Sequence, residues 1–544
     1  MVWRRQRLSV CAVACCAFIA GGSAPVTTPI SPSSGRYTNP ILHADYSDPD
    51  VIRVGRDYYL VASSFHFSPG LPVLRSRDLV HWTIVGHVLP RLPFAPQYDM
   101  PGPHMLTDAT SKPIGGTRYA GGVWAPSLRF HDGLFYAYWP TPDEGIFMAT
   151  ARRAEGPWSK PVQVIAQAGL EDPCPFWDED GSAWLVHSRH GAGPLILHRM
   201  SPDGKSVLDD GTVIVEDKAN LPILEGPKLY RRNFYIYIFA PFGGVEKGAQ
   251  VVLRAHDIRG PYEWRVVLKQ GATALEGPHQ GGWVQTPSGQ DWFVHFNSTG
   301  AFGRITYLEP MRWVDDWPII GKPIPGDTAG EPVAEAPMPD TGHAPTADRI
   351  QTSDEFSARR LGPQWEWNHN PDDAKWSLTA RPGFLRLTAG PAEHLVTARN
   401  TLTQILIGPR SRITTRIDPA HMSDGQRAGL SLFGVGPSWI GLVREQGRTW
   451  LTLATAGVET RGPTWRDMPV DLRADVTPDQ RVRYSYSLDS GRSFTPLGDP
   501  IKLARFSWWK GSRPALFSFT RGAPGGFADF DWVHVDPATT LPKD

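Results

Sequence analysis

The chain has 544 residues, which is enough for two or three domains. Lysine plus arginine and aspartate plus glutamate both number 55, so the formal net charge is zero. This balance argues against a nucleic-acid-binding protein and a polybasic membrane-surface protein, because both need a surplus of positive charge. Hydrophobic residues make up 41% of the chain, which excludes a disordered protein. The 54 glycines and 52 prolines predict a turn-rich fold.

The N-terminus has the features of an export signal. Three arginines within the first seven residues precede the apolar run 8–20, and small residues follow up to Ala24. We predict that residues 1–24 are a signal peptide and that the protein is exported, to a periplasm or outside the cell. The apolar run is too short to stay in a membrane. A lipoprotein signal ending at Cys15, a twin-arginine signal and an unusual core strand are the alternatives, and each fits the pattern less well.

The predicted signal peptide determines how many cysteines the exported chain keeps. Of the 4 cysteines, only Cys174 lies outside the predicted signal peptide. The exported chain therefore has no intramolecular disulfide and no cysteine-based metal site, and its stability comes from core burial.

Short aromatic β-type runs recur behind tight turns across the first three hundred residues. Apart from a longer first step, their central residues are spaced by roughly fifty positions, a period typical of a propeller with one four-stranded blade per repeat. These central residues are Tyr59, Tyr136, Trp184, Tyr235 and Trp292. We predict a five-bladed β-propeller over residues 36–327, with an insertion at 90–121 that accounts for the long first step.

Three of the five predicted first strands open with a carboxylate, namely Asp48, Asp172 and Glu225. The first strand of each blade lines the central channel, so we expect these groups at equivalent positions around one axis. A single acidic residue at a strand start is more often a turn cap. Three acidic residues in one channel suggest a glycosidase, which uses a pair of carboxyl groups. Crowding raises the pKa of at least one of them, as a general acid near neutral pH requires.

The same segments closely resemble glycoside hydrolase family 43. The resemblance is carried by Asn39-Pro40-Ile41-Leu42, Ser47-Asp48-Pro49-Asp50, Trp124-Ala125-Pro126, Glu171-Asp172-Pro173, Leu224-Glu225-Gly226-Pro227 and Asp315-Asp316-Trp317-Pro318. It implies a five-bladed propeller and an exo-acting, inverting hydrolase that needs no cofactor. The implied reaction releases terminal β-D-xylose or α-L-arabinofuranose from plant cell-wall oligosaccharides, and the sequence leaves the choice of sugar open.

The resemblance also implies roles for individual residues. Asp48 matches the general base, Glu225 the general acid, and Asp172 a third carboxylate that tunes and orients the acid. Four further positions match substrate-binding residues, and these are Phe65, Trp124, His279 and Arg304. For His279 the matching residue contacts either the substrate or a water-ligated calcium ion. For Phe65 and Trp124 the alternative interpretation is ordinary packing within the blades.

A second Leu-Glu-Gly-Pro motif offers Glu276 as a rival acid. The repeat register decides against it, because Glu225 lies ten residues before Tyr235 whereas Glu276 lies sixteen before Trp292. His279 and Gln280 occupy the comparable place in that repeat. We predict that Glu276 lies at the rim of the channel.

Residues 328–349 are rich in proline, alanine and acidic residues and are predicted to be a linker. Strand-length runs separated by turn residues then predict a β-sandwich over 350–538, similar to the concanavalin-like C-terminal domain of family 43 xylosidases. This domain could bind polysaccharide or brace the propeller, and we favour bracing. Asp354, Glu355 and Asp531 are candidate ligands of a structural calcium ion.

Three other functions were weighed. A non-catalytic propeller lectin is the main alternative, but it predicts the loss of at least one channel carboxylate. A structural or adhesive surface protein would need none of them. An invertase-like propeller hydrolase would begin with an Asn-Asp-Pro-Asn-type motif, which the sequence lacks. The predicted partner is an oligosaccharide or polysaccharide, with no nucleic acid and no stable membrane insertion, and the oligomeric state is left open.

Overall fold

The computed structural model describes residues 35–102, 104–105, 116–191, 193–504 and 508–537. The predicted signal peptide lies outside these ranges. Within them the chain is all-β, and its helical segments are the short 3-10 helices Pro96–Asp99, Gly300–Phe302, Asp373–Lys375 and Leu395–Thr397. No helix in the described ranges has the length and apolar character needed to cross a membrane.

Five units of four antiparallel strands follow one another along the chain and form the predicted propeller, and two short later strands extend the sheet of the fourth unit to six strands. Blade I comprises Asp50–Val54, Asp57–Val61, Gly70–Ser76 and Thr83–Leu89; blade II comprises Ser127–His131, Leu134–Thr141, Gly145–Ala151 and Val162–Ile165. Blade III comprises Leu170–Trp177, Ala183–Arg189, Leu195–Met200 and Thr212–Val215; blade IV comprises Lys228–Arg232, Tyr235–Phe242, Ala249–Ala255 and Glu263–Leu268. Blade V comprises His279–Gln285, Asp291–Ser298, Arg304–Val314 and Trp317–Ile320. Each aromatic run that revealed the repeat is the second strand of its blade.

The second strands are central in their blades, which explains their composition. Each one pairs antiparallel with the strands on both sides, so its backbone bonds are satisfied within the blade. Its side chains pack between neighbouring blades, where Trp139, Tyr138, Tyr237 and Phe293 are fully buried. Aromatic side chains supply the large apolar area that such a layer requires.

The segments before and after the blades pack on the propeller. Arg36–Thr38 pairs antiparallel with Glu335–Pro337, and Gly330–Glu331 pairs with Lys322–Pro323 at the edge of blade IV. Glu335–Pro337 and Gly330–Glu331 both lie in the predicted linker, which therefore runs along the propeller surface. The predicted insertion separates the last strand of blade I from the first strand of blade II, and it includes the pair His104–Met105 and Thr117–Arg118.

Residues 354–536 form the predicted β-sandwich. In order, the larger sheet contains Val458–Trp465, Arg448–Thr455, Ser438–Glu445, Gln426–Phe433, Arg513–Thr520, Leu402–Thr403 and Glu366–Asn368, with Gly390–Pro391 beside Arg513–Thr520. The second sheet contains Trp376–Ser377, Leu385–Thr388, Phe527–Asp536, Ser411–Asp418, Val470–Val476 and Arg481–Ser487, with Thr495–Pro496 and Ile501–Lys502 at its edge. One apolar core fills the space between the two sheets.

The two domains share structure at their junction. Phe67–Ser68, from the connection within blade I, pairs antiparallel with Glu366–Asn368 and so adds a propeller strand to the larger sandwich sheet. Ala301, Phe302 and Ile305 of the propeller belong to the sandwich core. These contacts pack the sandwich firmly against the propeller, as the favoured bracing role requires.

Candidate active site

A cavity of about 310 Å³ lies at the channel mouth where the first strands begin. Its wall contains all seven residues that the sequence analysis singled out, namely Asp48, Asp172, Glu225, Phe65, Trp124, His279 and Arg304. Glu171, His190, Gln280 and Trp509 also line it. Glu276 is exposed and is not part of this wall.

Asp48 is buried, and two donors hold its carboxylate. The Arg304 guanidinium donates to Oδ1 at 2.7 Å, and the Ser63 hydroxyl donates to Oδ2 at 2.5 Å. The backbone at Asp48 has a φ of 53°, in the left-handed region that a residue with a side chain seldom adopts. The carboxylate therefore has a fixed orientation toward the cavity.

Asp172 has the same backbone conformation, with a φ of 55°. Its Oδ2 accepts a hydrogen bond from the backbone N–H of Gly226 at 2.7 Å and one from the Ser188 hydroxyl at 3.3 Å. Burial, followed by the negative charge of Glu225, raises the pKa of Asp172 to about 7. The Asp172 carboxyl group can therefore hold a proton near neutral pH beside Glu225.

Glu225 reaches the cavity from the segment before blade IV. Its Oε1 lies 3.0 Å from Nε2 of the buried His279. The carboxylates of Glu171, Asp172 and Glu225 can place oxygens within 4.8 Å of one another. Such a cluster has both a group that can release a proton and neighbours that control its protonation.

The carboxylates do not come from equivalent positions, which corrects the expectation from the repeat. In blades I, II and IV a residue followed by proline stands two places before the first paired row, and these residues are Asp48, Ala125 and Gly226. In blade III the equivalent residue is Asp172, which lies in a bulge two places before the paired Cys174. Glu225 is one place earlier and is the counterpart of Trp124 and Glu171. At the equivalent position blade IV has Gly226, with a φ of 59°, and an added Cβ would lie 2.9 Å from Gln280 and Pro241. That position has no room for a side chain, so the carboxyl group is supplied by the preceding residue.

Aromatic rings form the apolar side of the cavity. The rings of Phe65 and Trp124 have centroids 6.3 Å apart, and Trp509 lies 6.0 Å from Trp124 on its other side. His190 contacts Trp124 edge-on at 5.1 Å. The indole of Trp124 donates to the Ala120 carbonyl at 2.7 Å, which fixes the ring. Flat apolar walls beside carboxylates suit a sugar ring, which has C–H faces and hydroxyl edges.

The sequence analysis assigned no role to Glu171, His190, Gln280 or Trp509. Glu171 and Gln280 stand beside predicted residues, so the motif itself could have indicated them. Trp509 lies in the sandwich domain, where the propeller repeat gives no signal. His190 follows the second strand of blade III without a motif of its own.

The structure does not assemble the calcium site predicted in the sandwich. Asp354 accepts hydrogen bonds from the Phe356 amide and the Trp365 indole, both at 2.8 Å, and Glu355 faces His534 at 2.6 Å. Among the described residues, the one cluster with metal-ligand spacing is that of Glu171, Asp172 and Glu225. The two carboxylates thus serve protein donors at the edge of the sandwich.

A larger cavity of about 580 Å³ lies at the opposite mouth of the channel, where the first strands end. Three of its arginines are paired with carboxylates: Arg129 with Asp50 at 2.7 Å, Arg231 with both oxygens of Asp178, and Arg232 with Asp316 at 2.7 Å. The fourth, Arg53, donates to the backbone carbonyls of Gln285 and Gly55. Because these arginines have partners within the protein, size does not identify this mouth as the reactive one.

Comparison with protein families decides the class. Residues 37–318 match the model of glycosyl hydrolases family 43, and residues 353–536 match the β-xylosidase C-terminal concanavalin A-like domain. The chain belongs to glycoside hydrolase family 43. It is therefore a glycoside hydrolase, and enzymes of this family need no cofactor for catalysis.

Relatives of this family 43 chain match it over most of their length. A protein of Xylanibacter ruminicola is 43% identical over 88% of this chain and 85% of its own. A β-xylosidase of Formosa agariphila is 35% identical over 92% and 90% of the two chains. A non-reducing end α-L-arabinofuranosidase of Bacteroides ovatus is 32% identical over 66% of each chain. A solved bifunctional GH43-CE structure from Bacteroides eggerthii superposes with a TM-score of 0.82 at 31% identity, covering 93% of this chain and 64% of that one.

Proposed function

We propose that this family 43 enzyme is an exo-acting, inverting glycosidase that releases terminal pentose from xylan- or arabinan-derived oligosaccharides. The observation that carries the proposal is the convergence of all seven motif residues in one cavity of about 310 Å³. Relatives named β-xylosidase and α-L-arabinofuranosidase support a pentose as the sugar released.

The proposed reaction uses two carboxyl groups from different blades. Glu225 gives its proton to the glycosidic oxygen as the bond from that oxygen to the anomeric carbon breaks. Asp48 takes a proton from a water molecule whose oxygen forms the new bond on the opposite face of the sugar. Arg304 and Ser63 keep the Asp48 carboxylate aimed at that water. The products are a free pentose and a shortened oligosaccharide. Glu225 has lost one proton and Asp48 has gained one, and proton exchange with solvent restores both groups.

Asp172 is proposed to act through Glu225. Its position beside Glu225 and the pKa of its own buried carboxyl group allow it to hold the pair in a singly protonated state near neutral pH. Phe65, Trp124 and Trp509 are proposed to pack on the sugar ring, with His279 and Arg304 at its hydroxyl groups.

The test of the function is hydrolysis of 4-nitrophenyl β-D-xylopyranoside beside 4-nitrophenyl α-L-arabinofuranoside. We expect turnover of at least one, and NMR of the first-formed sugar should show the inverted anomer. A retained anomer would contradict the water-activating role of Asp48. Binding of oligosaccharide without hydrolysis would favour the lectin instead.

We further propose that the enzyme is exported after removal of residues 1–24. The charged, apolar and small-residue regions of that segment support this. Edman sequencing of protein from the periplasm or medium should begin close to residue 25, whereas an intact N-terminus on cytoplasmic protein would overturn the proposal.

A further inference from the structure

Lys510 of the sandwich domain is buried beside the active site. Its ammonium group donates to the backbone carbonyl of Asp45 at 3.0 Å and to the Ser47 hydroxyl at 3.4 Å, and it lies 3.7 Å from Oδ1 of Asp45. The side chain is 3% exposed. Burying an ammonium group is unfavourable unless its partners compensate, so this contact between the domains is specific.

Asp45 joins three segments of the chain through one carboxylate. Its Oδ1 accepts from the Ser47 hydroxyl at 2.8 Å and from the backbone N–H of Arg304 at 3.1 Å. Its Oδ2 accepts from the backbone N–H of Gly511 at 2.8 Å. The segment before blade I, the start of a blade V strand and the sandwich loop 508–511 therefore meet at this group.

The three segments are packed too closely to tolerate larger residues. A Cβ added to Gly303 would lie 2.4 Å from the Asp45 carboxyl, and one added to Gly511 would lie 2.5 Å from the Gly303 nitrogen. Real Cβ atoms do not approach other atoms so closely, so both glycines allow the backbones to come into contact.

The residues next to these contacts belong to the active site. Arg304 holds the Asp48 carboxylate, and Trp509 lines the cavity with its ring centroid 5.8 Å from the Arg304 guanidinium. Trp508 and Trp509 have φ values of 54° and 64°. Two successive bulky residues in the left-handed region persist only where surrounding contacts hold them.

We propose that Asp45 and Lys510 form an interdomain latch of positioning residues, which keeps Trp509 in the cavity wall and Arg304 on Asp48. The kinetic consequences rest on the proposed function. The latch makes the sandwich domain a part of the active site in addition to its bracing role.

A purely structural contact between the domains would behave differently, and the chain offers one for comparison. Arg91 of the propeller pairs with Asp373 of the sandwich at 2.8 Å, and neither residue lines the cavity. The variant Arg91→Met removes this interdomain ion pair and serves as the matched control for Lys510→Met.

The kinetic test compares Lys510→Met, Asp45→Asn and Arg91→Met on the better 4-nitrophenyl glycoside. We expect a ~10-fold or greater loss of kcat/KM in the first two, since small displacements of positioning groups have effects of that size. Arg91→Met should stay within about 2-fold of the wild type, as is usual for an exposed pair. In a Trp509→Ala background, Lys510→Met should raise KM by much less than it does in the wild type, because the ring it positions is gone.

Hydrogen exchange provides a readout that needs no substrate. Peptides covering residues 508–513 should exchange faster in Lys510→Met and in Asp45→Asn than in Arg91→Met. If the wild type hydrolyses neither glycoside, the proposed function fails and exchange still tests the latch. Asp45→Asn tests the link from the propeller side if Lys510→Met does not fold. Unchanged exchange in the folded variants, or equal kinetic losses in all three, would overturn the latch.

Discussion

Asp172 and Glu225 are close enough that their protons belong to the pair. Burial and the charge of Glu225 raise the pKa of Asp172, while the Gly226 amide and Lys228 oppose that rise. Titration of such a pair shows apparent values that neither residue has alone. The raised pKa lets the buried Asp172 carboxyl group hold a proton near neutral pH, so the pH range of activity should depend on this group.

Asp172→Asn should lower the alkaline limb of the pH–rate profile and reduce turnover, because the negative neighbour that keeps a proton on the pair is lost. The measurement is the profile of the folded variant beside the wild type, together with the product anomer, which should not change. If Asp172 merely caps the Pro173 turn, the limb will stay in place.

Asp172→Asn should also change the free energy of unfolding, and the raised pKa of Asp172 determines the direction of that change. A carboxyl group whose folded-state pKa is raised above its unfolded value destabilises the folded state once it ionises. This penalty is absent below pH ~4, grows from there, and is complete above pH 7. Thermal unfolding should show the variant more stable than the wild type at pH 8, with the difference vanishing toward pH 4. A larger advantage at acidic pH would contradict the assignment.

Asp48→Asn and Glu225→Gln should each reduce turnover by ~10²-fold or more, because each removes a partner in proton transfer. An activated substrate with a good leaving group should partly rescue Glu225→Gln and leave Asp48→Asn inactive. Glu276→Gln is the matched control, since it changes an exposed glutamate in an identical Leu-Glu-Gly-Pro motif. Near-normal activity in either folded active-site variant would refute its role.

At the scale of single elements, a close contact between two backbone segments fixes the position of an aromatic residue in the cavity wall. Phe65 and Val123 form an isolated bridge, with hydrogen bonds of 2.8 and 3.0 Å in the two directions. Gly122 precedes this bridge with a φ of 86°, and a Cβ there would lie 2.2 Å from the Phe65 carbonyl oxygen. The position of the Phe65 ring thus depends on a glycine outside the cavity.

Gly122→Ala should destabilise the protein by ~2 kcal/mol or more and raise KM, because the bridge must open to admit the methyl group. Gly133→Ala is the control, since Gly133 has a φ of 75° but nothing within 4 Å of an added Cβ. That variant should show a loss of ~1 kcal/mol from backbone strain alone, with KM unchanged. Chemical denaturation and steady-state kinetics measure both, and equal losses would argue against the role of the bridge.

The sequence predicted the elements well wherever a repeat carried the information. The aromatic second strands are central in their blades, so their composition was visible at a regular period. The sequence also predicts the first strands, but it places Glu225 at the position that Gly226 occupies. The type of a side chain does not show that a backbone position is too crowded for a Cβ atom, as the position of Gly226 is. The sequence does not predict the roles of Trp509 and Lys510, because the residues that they contact are distant in sequence. The positive φ of Trp509 could not be predicted either, since glycine is the residue type that indicates such a conformation.

At the scale of the molecule, the two domains form one packed unit. Propeller residues belong to the sandwich core, a propeller strand extends the larger sandwich sheet, and Arg513 pairs with the buried Glu366 at 2.6 Å on the sandwich side of the junction. His87 of blade I lies 3.3 Å from the other oxygen of Glu366. Loss of either domain would expose apolar surface and separate charges that are buried together.

We expect the protein to unfold in one calorimetric transition, because shared cores couple the stability of domains. Scanning calorimetry at several scan rates measures this, and near-ultraviolet circular dichroism should report the same midpoint. Two transitions well separated in temperature would show that the domains are thermally independent, contrary to this expectation.

The cavity joins residues that are far apart in the chain, since Asp48 stands near the start of the described residues and Trp509 near their end. During synthesis, Asp48 leaves the ribosome long before Trp509, so the pocket stays incomplete until the sandwich loop has been made. Prematurely terminated chains and fragments clipped near the C-terminus would therefore lack a complete pocket. Fusion partners at either terminus should be joined through spacers long enough to leave both segments undisturbed.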